Sequence, residues 1–264
     1  MEINCNGRRA VVSAAGSGIG RTIAEKLADN GAQVFVCDIV PKFLDDLAQK
    51  RPEIGSVIAD VGQSGNVERL FDAAVSAMGG VDILINNAGI AGPTKRVEDI
   101  TPSEWQHTLA VDLDGAFYCT RRAVPLMKEV GRGTIIFISS SAGRLAYPLR
   151  LLYATAKRAL IGMSDTLAME LGPANISVNT ILPGYVENAR GKRVLQAKAD
   201  ASGQSYEDMR NIVLNTISMR CAVAEGEIAN LAVYLCSHQG RHISSQAIDV
   251  DGNLETHAGM DNLD

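Results

Sequence analysis

Short apolar runs alternate with segments of helical periodicity along almost the whole chain. The apolar runs are rich in β-branched residues, which favour strands. They predict strands at Arg9–Ala14, Gln33–Cys37, Ser56–Ala59, Val81–Asn86, Thr134–Ser139, Ser177–Leu182 and Ala247–Val250. Apolar residues three and four positions apart predict helices between them: one that starts near Ile19 and is stopped by Asn30-Gly31, then Lys42–Lys50, Val67–Met78, about 103–130, about 151–171 and 225–236.

The order of these elements predicts an α/β fold. A strand, a helix and a second strand form a right-handed βαβ unit, in which the two strands pair in parallel. Repetition of that unit predicts a Rossmann-type, doubly wound parallel β-sheet flanked by helices. No composition shift, internal repeat or low-complexity segment divides the chain, so residues 1–264 are expected to form a single domain.

Composition narrows the classes of function. The chain of 264 residues is 46% hydrophobic and 21% charged, which excludes a disordered or coiled-coil protein. A net charge of −5 argues against a nucleic-acid partner, and no apolar run is long enough to span a membrane. The 5 cysteines include no C-x-x-C pair, so neither a disulfide framework nor a metal site is expected. Reduced thiols of this kind are typical of a cytoplasmic protein, which is the predicted location.

A glycine-rich turn follows the first predicted strand and precedes the first helix. Such a turn lets the backbone approach a pyrophosphate, and the N-terminus of the helix offers free N–H groups and a positive dipole. The alternative is a tight strand–helix connection with no ligand. The position of the turn favours dinucleotide binding by its residues, which are Gly16, Ser17, Gly18, Ile19 and Gly20.

Asp38 lies at the end of the second predicted strand, 18 residues after Gly20. A carboxylate there accepts hydrogen bonds from the ribose hydroxyls of NAD and repels the 2′-phosphate of NADP. No Lys or Arg lies within the glycine turn or directly after Asp38 to receive that phosphate. Although an acid at a strand end can also be simply solvated, its pairing with the turn favours NAD as the cofactor.

Further segments follow the later strands in a fixed order. Asn86-Asn87-Ala88-Gly89 follows the fourth strand, and Ser139-Ser140 ends the fifth. Tyr153-x-x-x-Lys157 lies on the next helix, and Pro183-Gly184-Tyr185-Val186 follows the sixth strand. Together with the glycine turn, these segments resemble the short-chain dehydrogenase/reductase family, and the resemblance covers nearly the whole chain.

The chemistry of these residues can be argued from their spacing. Tyr153 and Lys157 are four positions apart on a helix, so their side chains share one face. A nearby ammonium favours the tyrosinate form, which can exchange a proton with a substrate hydroxyl. Ser140, at the end of a neighbouring strand, can donate a hydrogen bond to the same oxygen. The resemblance implies that Ser140 positions the substrate, that Tyr153 is the general acid/base, and that Lys157 tunes Tyr153 and holds the nicotinamide ribose.

The resemblance also implies further contacts with the cofactor. The pair Asp60-Val61 would bind the adenine. The segment from Asn87 to Gly89 would line the adenine ribose, and the segment from Pro183 to Val186 would meet the nicotinamide carboxamide. For Asn87, an equally good interpretation is a strand-end turn that satisfies its own backbone. The residues concerned are Asp60 and Val61, then Asn87, Ala88 and Gly89, then Pro183, Gly184 and Val186.

The chain departs from the family pattern at several positions. Ala14 replaces a usual glycine before the turn, and we expect an ordinary φ there, which would make the change harmless. Asp112 replaces a usual asparagine that kinks a helix and anchors a water in the proton relay toward the lysine. We predict an active enzyme whose pH dependence differs from that of the Asp112→Asn variant. Milder departures are Asn188 in place of Thr, and Ser245 and Asn253 in place of glycines.

The resemblance implies that residues 187–218 form a variable lid that sets substrate specificity. Arg144, Tyr147, Tyr185 and Arg190 are the candidate substrate contacts, and the arginines favour a small anionic or polyhydroxylated substrate. The alternative for the arginines is a solvated lid face or ion pairs between subunits. In the family, the helices corresponding to 103–130 and 151–171 build the dimer interface of a tetramer, so a homotetramer is expected.

These expectations combine into an NAD-dependent oxidoreductase that interconverts a secondary alcohol and a ketone. One alternative is an NADPH-dependent 3-oxoacyl or carbonyl reductase, which Asp38 argues against. The other is a non-catalytic family member that binds nucleotide as a sensor or scaffold. Intact Ser140, Tyr153 and Lys157 argue against that second alternative, whereas Ala14 and Asp112 favour it.

Overall fold

A computed structural model describes residues 3–255 of the chain. Its strands are β1 (Arg9–Val12), β2 (Gln33–Asp38), β3 (Gly55–Ile58), β4 (Ile83–Asn86), β5 (Gly133–Ile138), β6 (Ile176–Pro183) and β7 (Gln246–Val250). They form one 7-stranded sheet in the order β3-β2-β1-β4-β5-β6-β7. Every neighbouring pair is parallel. This sheet confirms the predicted Rossmann-type fold. Residues 1–2 and 256–264, which the predicted domain includes, lie outside the described residues.

The helices lie between the strands. They are α1 (Gly18–Asp29), α2 (Pro41–Lys50), α3 (Ser64–Met78), α4 (Pro102–Leu109), α5 (Gly115–Val130), α6 (Leu151–Leu171), α7 (Ala189–Ser202), α8 (Tyr206–Asn215) and α9 (Glu225–Cys236). The prediction of a single helix over 103–130 is wrong in one respect, because a π-helical segment, Ala110–Asp114, separates α4 from α5. A π-helical turn inside a helix is frequently found at a functional site. None of the helices in residues 3–255 is long and apolar enough to cross a membrane.

Two apolar clusters cover the two faces of the sheet. On one face, Ile23 and Leu27 of α1 are fully buried together with residues of α9. On the other face, Leu70 and Phe71 of α3 pack with residues of α5 and α6. The strand order reverses between β1 and β4, and in a doubly wound sheet this reversal opens a crevice at the carboxyl ends of the strands.

The segment expected to be a polar lid contains two helices, α7 and α8, which its polar composition did not predict. Leu195 and Ala199 of α7 and Met209 of α8 form a small apolar cluster of their own. The side chain of Asn188 caps α7 by accepting a hydrogen bond from the N–H of Gly191 at 2.8 Å. The few apolar residues of the segment are therefore enough to pair the two helices.

Ala14 has a φ of +50°, in the left-handed region. The expectation of an ordinary φ at this position was therefore wrong. The Cβ of an alanine clashes with its own carbonyl in this region, at a cost of about 1 kcal/mol. Ser245 and Asn253, which also replace frequent glycines, have φ values of +59° and +60°. All three positions need the conformation that glycine adopts most easily.

Candidate active site

The glycine turn lies between β1 and α1, at the carboxyl edge of the sheet. A Cβ at Gly20 would lie 2.6 Å from the carbonyl oxygen of Ala14, so only glycine fits there. Gly18 has a φ of +63°, which glycine adopts without strain. Ser17 precedes α1 but makes no side-chain capping hydrogen bond. The first N–H groups of α1 therefore lack a cap from Ser17, an arrangement that suits a pyrophosphate.

Asp38 ends β2 directly beside this turn. One carboxylate oxygen, Oδ2, accepts a hydrogen bond from the N–H of Gly16 at 3.0 Å. The other, Oδ1, accepts one from the N–H of Val40 at 3.0 Å. The side chain is fixed in place, and each oxygen keeps further acceptor capacity for a ribose hydroxyl. A Cβ at Gly16 would lie 3.0 Å from Oδ2, which explains the glycine there.

Asn87 holds the glycine turn against the end of β4. Its side-chain amide donates to the carbonyl oxygens of Ser13 at 2.9 Å and Ala14 at 3.0 Å. The backbone N–H groups of Asn87 and Ala88 both donate to Ser13 Oγ at 3.0 Å. The side chain of Asn87 therefore satisfies carbonyl groups of the segment that leads into the glycine turn, rather than its own backbone, and the residue also lines the main cavity.

Asp60 and Val61 follow β3 at the same edge of the sheet. Asp60 Oδ1 accepts a hydrogen bond from the N–H of Gly62 at 2.9 Å, which closes a tight turn. Val61 is buried, and a Cβ at Gly115 would lie 2.7 Å from its side chain. The pair is thus rigidly placed beside Asp38 on the neighbouring strand β2, although neither residue lines the cavity that contains Tyr153.

Ser140, Tyr153 and Lys157 line one cavity at the carboxyl ends of β5 and β6. Ser140 Oγ accepts a hydrogen bond from the N–H of Ala142 at 3.2 Å, which leaves its O–H free to donate. Lys157 is buried, and its Nζ lies 5.6 Å from the ring centroid of Tyr153. The ammonium also donates to the carbonyl oxygen of Ile138 at 3.2 Å. A positive charge is thereby fixed beside the phenol.

Asp112 lies in the π-helical segment and is fully buried. Its Oδ1 accepts a hydrogen bond from the N–H of Ile90 at 2.6 Å, and its Oδ2 lies 3.9 Å from Lys157 Nζ. Within residues 3–255, Oδ2 has no hydrogen-bond partner. Burial raises the pKa of Asp112, and the positive charge of Lys157 works against that rise. The structure thus places Asp112 beside the lysine, where the resemblance implies a proton relay.

Gly89 lies against the side chain of Lys157. A Cβ at this position would lie 2.9 Å from Lys157 Nζ, so a larger residue would displace the ammonium. The carbonyl oxygen of Gly89 accepts a hydrogen bond from Arg190 at 2.9 Å. Pro183, Gly184 and Val186, which were expected to meet the nicotinamide, also line the cavity.

Three of the candidate substrate residues line the same cavity, namely Tyr147, Tyr185 and Arg190. The guanidinium of Arg190 lies 5.9 Å from the ring centroid of Tyr153. Tyr185 comes directly after the Pro183-Gly184 wall, and burial raises the pKa of its hydroxyl, as does the neighbouring Tyr206. The three side chains therefore line the same cavity as Tyr153.

Arg144 does not line this cavity, contrary to the expectation from sequence. Its guanidinium forms an ion pair with Asp249 of β7 and donates to the carbonyl oxygen of Ala247 at 2.9 Å. The partner lies 105 residues along the chain, so no local pattern marks it. The structure therefore assigns Arg144 to the contact between the 140–150 connection and β7.

Two other basic residues line the cavity instead, Arg150 and Lys198. Both are 5% exposed. The sequence analysis selected neither of them as a candidate substrate contact. The available signal for Lys198 was its position between Leu195 and Ala199, on the apolar face of a helix, where a lysine is unusual.

Comparison with known proteins identifies the family. The family profile described as "Enoyl-(Acyl carrier protein) reductase" matches residues 13–254, which is most of the chain. The chain belongs to the short-chain dehydrogenase/reductase family. The family resemblance inferred from the sequence motifs is thereby confirmed.

Characterised relatives of this family span nearly the full length of the chain. The D-beta-hydroxybutyrate dehydrogenase of Cupriavidus necator is 33% identical over an alignment of 256 residues that covers 94% of this chain and 97% of that enzyme. A 3-oxoacyl-[acyl-carrier-protein] reductase of Staphylococcus epidermidis is 29% identical over an alignment of 252 residues that covers 94% of this chain and 98% of that enzyme. The chain is therefore similar to dehydrogenases and to reductases of the family.

Solved structures of short-chain dehydrogenases/reductases superimpose closely on this fold. The 3-ketoacyl-(acyl-carrier-protein) reductase of Brucella melitensis, complexed with NADH, has a TM-score of 0.85 at 29% identity and covers 96% of this chain and 100% of its own. A variant of actinorhodin polyketide ketoreductase with NADPH has a TM-score of 0.90 at 28% identity and covers 94% of this chain and 97% of its own. One of these two structures contains NADH and the other NADPH.

Proposed function

We propose that the protein is an NAD-dependent oxidoreductase that interconverts a secondary alcohol and a ketone on a small, anionic or polyhydroxylated substrate. The observation that carries the proposal is the arrangement of Ser140, Tyr153 and Lys157 around one cavity, with the ammonium 5.6 Å from the phenol ring. In a member of this family, that arrangement is suited to move one proton to or from a substrate oxygen.

In the direction of oxidation, the phenolate of Tyr153 accepts the proton of the substrate hydroxyl. Ser140 donates a hydrogen bond to the same oxygen, which orients the substrate and stabilises the charge that develops. Lys157 stabilises the phenolate through its positive charge. The chemistry that NAD supplies when bound is acceptance of the hydride from the carbinol carbon, so that alcohol becomes ketone.

The residues at the glycine turn and at the end of β2 fit such a dinucleotide. The uncapped N-terminus of α1 suits the pyrophosphate, and Asp38 suits the adenine ribose. Asp60, Val61, Asn87 and Ala88 would complete the adenine side. Because a carboxylate at this position repels a 2′-phosphate, NAD is the proposed cofactor rather than NADP.

Calorimetric titration with NADH and, separately, with NADPH tests the choice of cofactor. Tighter binding of NADH is the expected result. Tighter binding of NADPH would overturn the role of Asp38 and favour a 3-oxoacyl or carbonyl reductase. Binding of neither nucleotide would favour a non-catalytic member of the family.

The Tyr153→Phe variant tests the catalytic role directly. Removal of the hydroxyl takes away the proton carrier but leaves the glycine turn and Asp38 intact, so turnover should fall by at least about 100-fold while NADH binding is retained. Turnover equal to that of the wild type would remove Tyr153 from the mechanism.

We also propose a cytoplasmic homotetramer. The exposed apolar side chains of Phe117 on α5, and of Leu151 and Met169 on α6, support burial of these helices between subunits. The 5 cysteines are free thiols, which supports a reducing compartment. Light scattering of the purified protein measures the mass, and a monomeric mass would refute the tetramer.

A further inference from the structure

A second pocket lies at the amino ends of the strands, away from the cavity that contains Tyr153. Its walls come from the segment before β1, from the first residues of β5 and β6, and from the turn after α9. Its volume is about 250 Å³, which is below the range of about 300 to 1,000 Å³ that is typical of pockets for drug-sized ligands. The pocket therefore suits a small molecule or ion rather than a second dinucleotide.

The walls of this pocket are basic. Three arginines line it, Arg8, Arg132 and Arg241, and none of the described residues that line it is acidic. The chain as a whole has a net charge of −5, so this wall differs from the average of the molecule. Within residues 3–255, neither Arg8 nor Arg241 forms an ion pair.

One carboxylate lies close to the pocket, but two other guanidinium groups share it. Asp82 is fully buried. Its Oδ2 pairs with Arg9 Nε at 2.7 Å, and its Oδ1 pairs with Arg132 Nε at 3.0 Å. The charge of Asp82 is therefore already matched by Arg9 and Arg132, and it leaves the charges of Arg8 and Arg241 without a carboxylate among the described residues.

The inner wall of the pocket also carries unused hydrogen-bond donors. The buried hydroxyl oxygens of Thr134 and Ser177 lie 3.3 Å apart. Only one of their two protons lies between them, and the other has no acceptor in the described part of the chain. Arg8 Nη2 donates to Thr134 Oγ1 at 3.3 Å and to the carbonyl oxygen of Asp82 at 3.1 Å. Nη1 donates only to the carbonyl oxygen of Cys236 at 3.5 Å, so one of its N–H groups remains for a ligand.

We propose that this pocket binds a phosphate dianion, either inorganic phosphate or the phosphate group of a small phosphomonoester. The oxygens of a phosphate accept several hydrogen bonds at once, and arginine is well suited to donate them. A carboxylate, with one negative charge and two oxygens, would leave more of the arginine charge unbalanced. The inference goes beyond the proposed function and does not depend on it, because the two pockets share no lining residue.

Calorimetric titration with inorganic phosphate tests the site. The NADH-loaded protein is used, because bound NADH covers the glycine turn, which also suits a phosphate. Acetate at the same ionic strength is the comparison, at pH 8, where phosphate is mainly a dianion. The expected result is that phosphate binds at least about 10-fold more tightly than acetate, and that Arg241→Met weakens phosphate binding by at least about 10-fold. Equal binding of the two anions, or unchanged binding by the variant, would overturn the proposal.

Arg241 is the residue to replace because its loss leaves the fold intact. It is exposed, and it donates to the carbonyl oxygen of His238, three residues away, at 2.8 Å. The matched control is Arg69, an exposed arginine of α3 that donates to the carbonyl oxygen of Gly65 at 3.4 Å and lies outside the pocket. Arg69→Met should leave phosphate binding unchanged. An equal loss in both variants would mean attraction by total charge and would refute the site.

The melting temperature gives a second measurement, which does not require NADH to bind. A ligand that binds only the folded state raises Tm, so phosphate at constant ionic strength should raise the Tm of the wild type more than that of Arg241→Met. An equal rise in both proteins would mean that phosphate acts as a generally stabilising salt, and would overturn the site.

Glycerol 3-phosphate distinguishes the two sources of the phosphate group. Binding tighter than that of inorganic phosphate would assign the pocket to a phosphomonoester, and equal or weaker binding would assign it to inorganic phosphate. Both assignments require that Arg241→Met weakens the binding. Affinity for glycerol 3-phosphate and for phosphate that is the same in the variant as in the wild type would refute the site.

Discussion

The Asp112→Asn variant tests the electrostatic balance around the catalytic phenol. Asp112 Oδ2 lies 3.9 Å from Lys157 Nζ, which in turn lies 5.6 Å from the ring centroid of Tyr153. When ionised, Asp112 opposes the effect of Lys157, because a negative charge disfavours the phenolate. The substitution keeps the size of the side chain and removes that charge.

The size of the expected shift of the pH profile follows from Coulomb's law. The two distances place the carboxylate within about 10 Å of the phenol ring, where two unit charges interact by about 0.4 kcal/mol at the dielectric constant of water and by about 1.7 kcal/mol at an effective value near 20. These energies correspond to a shift of about 0.3 to 1.2 pH units. Oxidation requires the phenolate, so the increase of kcat/KM with pH should occur at a lower pH in the variant than in the wild type.

The difference between the two pH profiles also depends on whether Asp112 is ionised. Burial raises the pKa of this carboxyl, and it faces the positive charges of Lys157, Arg190 and Arg150, which work against the rise. Below its pKa the wild-type side chain is neutral, as asparagine is. The two pH–rate profiles should therefore converge at acid pH and separate as Asp112 ionises.

The assay is kcat/KM for oxidation of the best substrate, measured across the pH range for both proteins. The matched control is Asp114→Asn, which removes a carboxylate from the same π-helical segment and should leave the profile unchanged. Profiles that overlap for the wild type and Asp112→Asn would refute the reasoning, as would a shift of equal size in the control.

Three further substitutions test other parts of the structure. Asp38→Asn removes the charge and keeps one of the two acceptor oxygens, so the ratio of kcat/KM with NADPH to that with NADH should rise by at least about 10-fold. An unchanged ratio would contradict the role of Asp38. Ala14→Gly relieves the left-handed φ and should raise the free energy of unfolding by about 0.5 to 1 kcal/mol, measured by urea denaturation; a lower value would contradict the strain. Burial works to raise the pKa of Asp82, but hydrogen bonds and charges of Arg9 and Arg132 outweigh it and lower the pKa. Asp82→Asn should therefore lower the free energy of unfolding by about 3 kcal/mol at neutral pH. The difference in Tm between the variant and the wild type should shrink as the pH falls through the range where the wild-type carboxyl becomes protonated. A difference in Tm that does not depend on pH would exclude the ion pairs as its cause.

The sequence predicts the sheet well because its strands are buried on both faces. A run such as Thr134–Ser139 is apolar almost throughout, which is the pattern of a central parallel strand. The helix predicted at about 151–171 begins and ends in the structure at Leu151 and Leu171. Local periodicity is enough to define such elements, because the packing partner of each face is the sheet itself.

The proposed catalytic pair of Tyr153 and Lys157 is also visible in the sequence, since the relation of the two residues is local. Tyr153 and Lys157 share one helix face by spacing alone, and the structure places them side by side. The lid is different, because α7 and α8 bury only a few apolar residues, among them Leu195 and Met209. Too few apolar positions remain to give a clear period, so the helices were not predicted.

The contrast between Arg144 and Arg150 explains where sequence reasoning fails at this site. Both lie between Ser140 and Tyr153 and have the same chemistry, so chain position alone gives no reason to prefer either. The position of each arginine depends on partners that are distant in sequence. Arg144 pairs with Asp249 of β7, and Arg150 donates hydrogen bonds to the 91–94 segment. Arg144 pairs with a carboxylate outside the cavity, whereas Arg150 lines the cavity that contains Tyr153, so contacts between distant parts of the chain decide which of the two arginines lies near the proposed site.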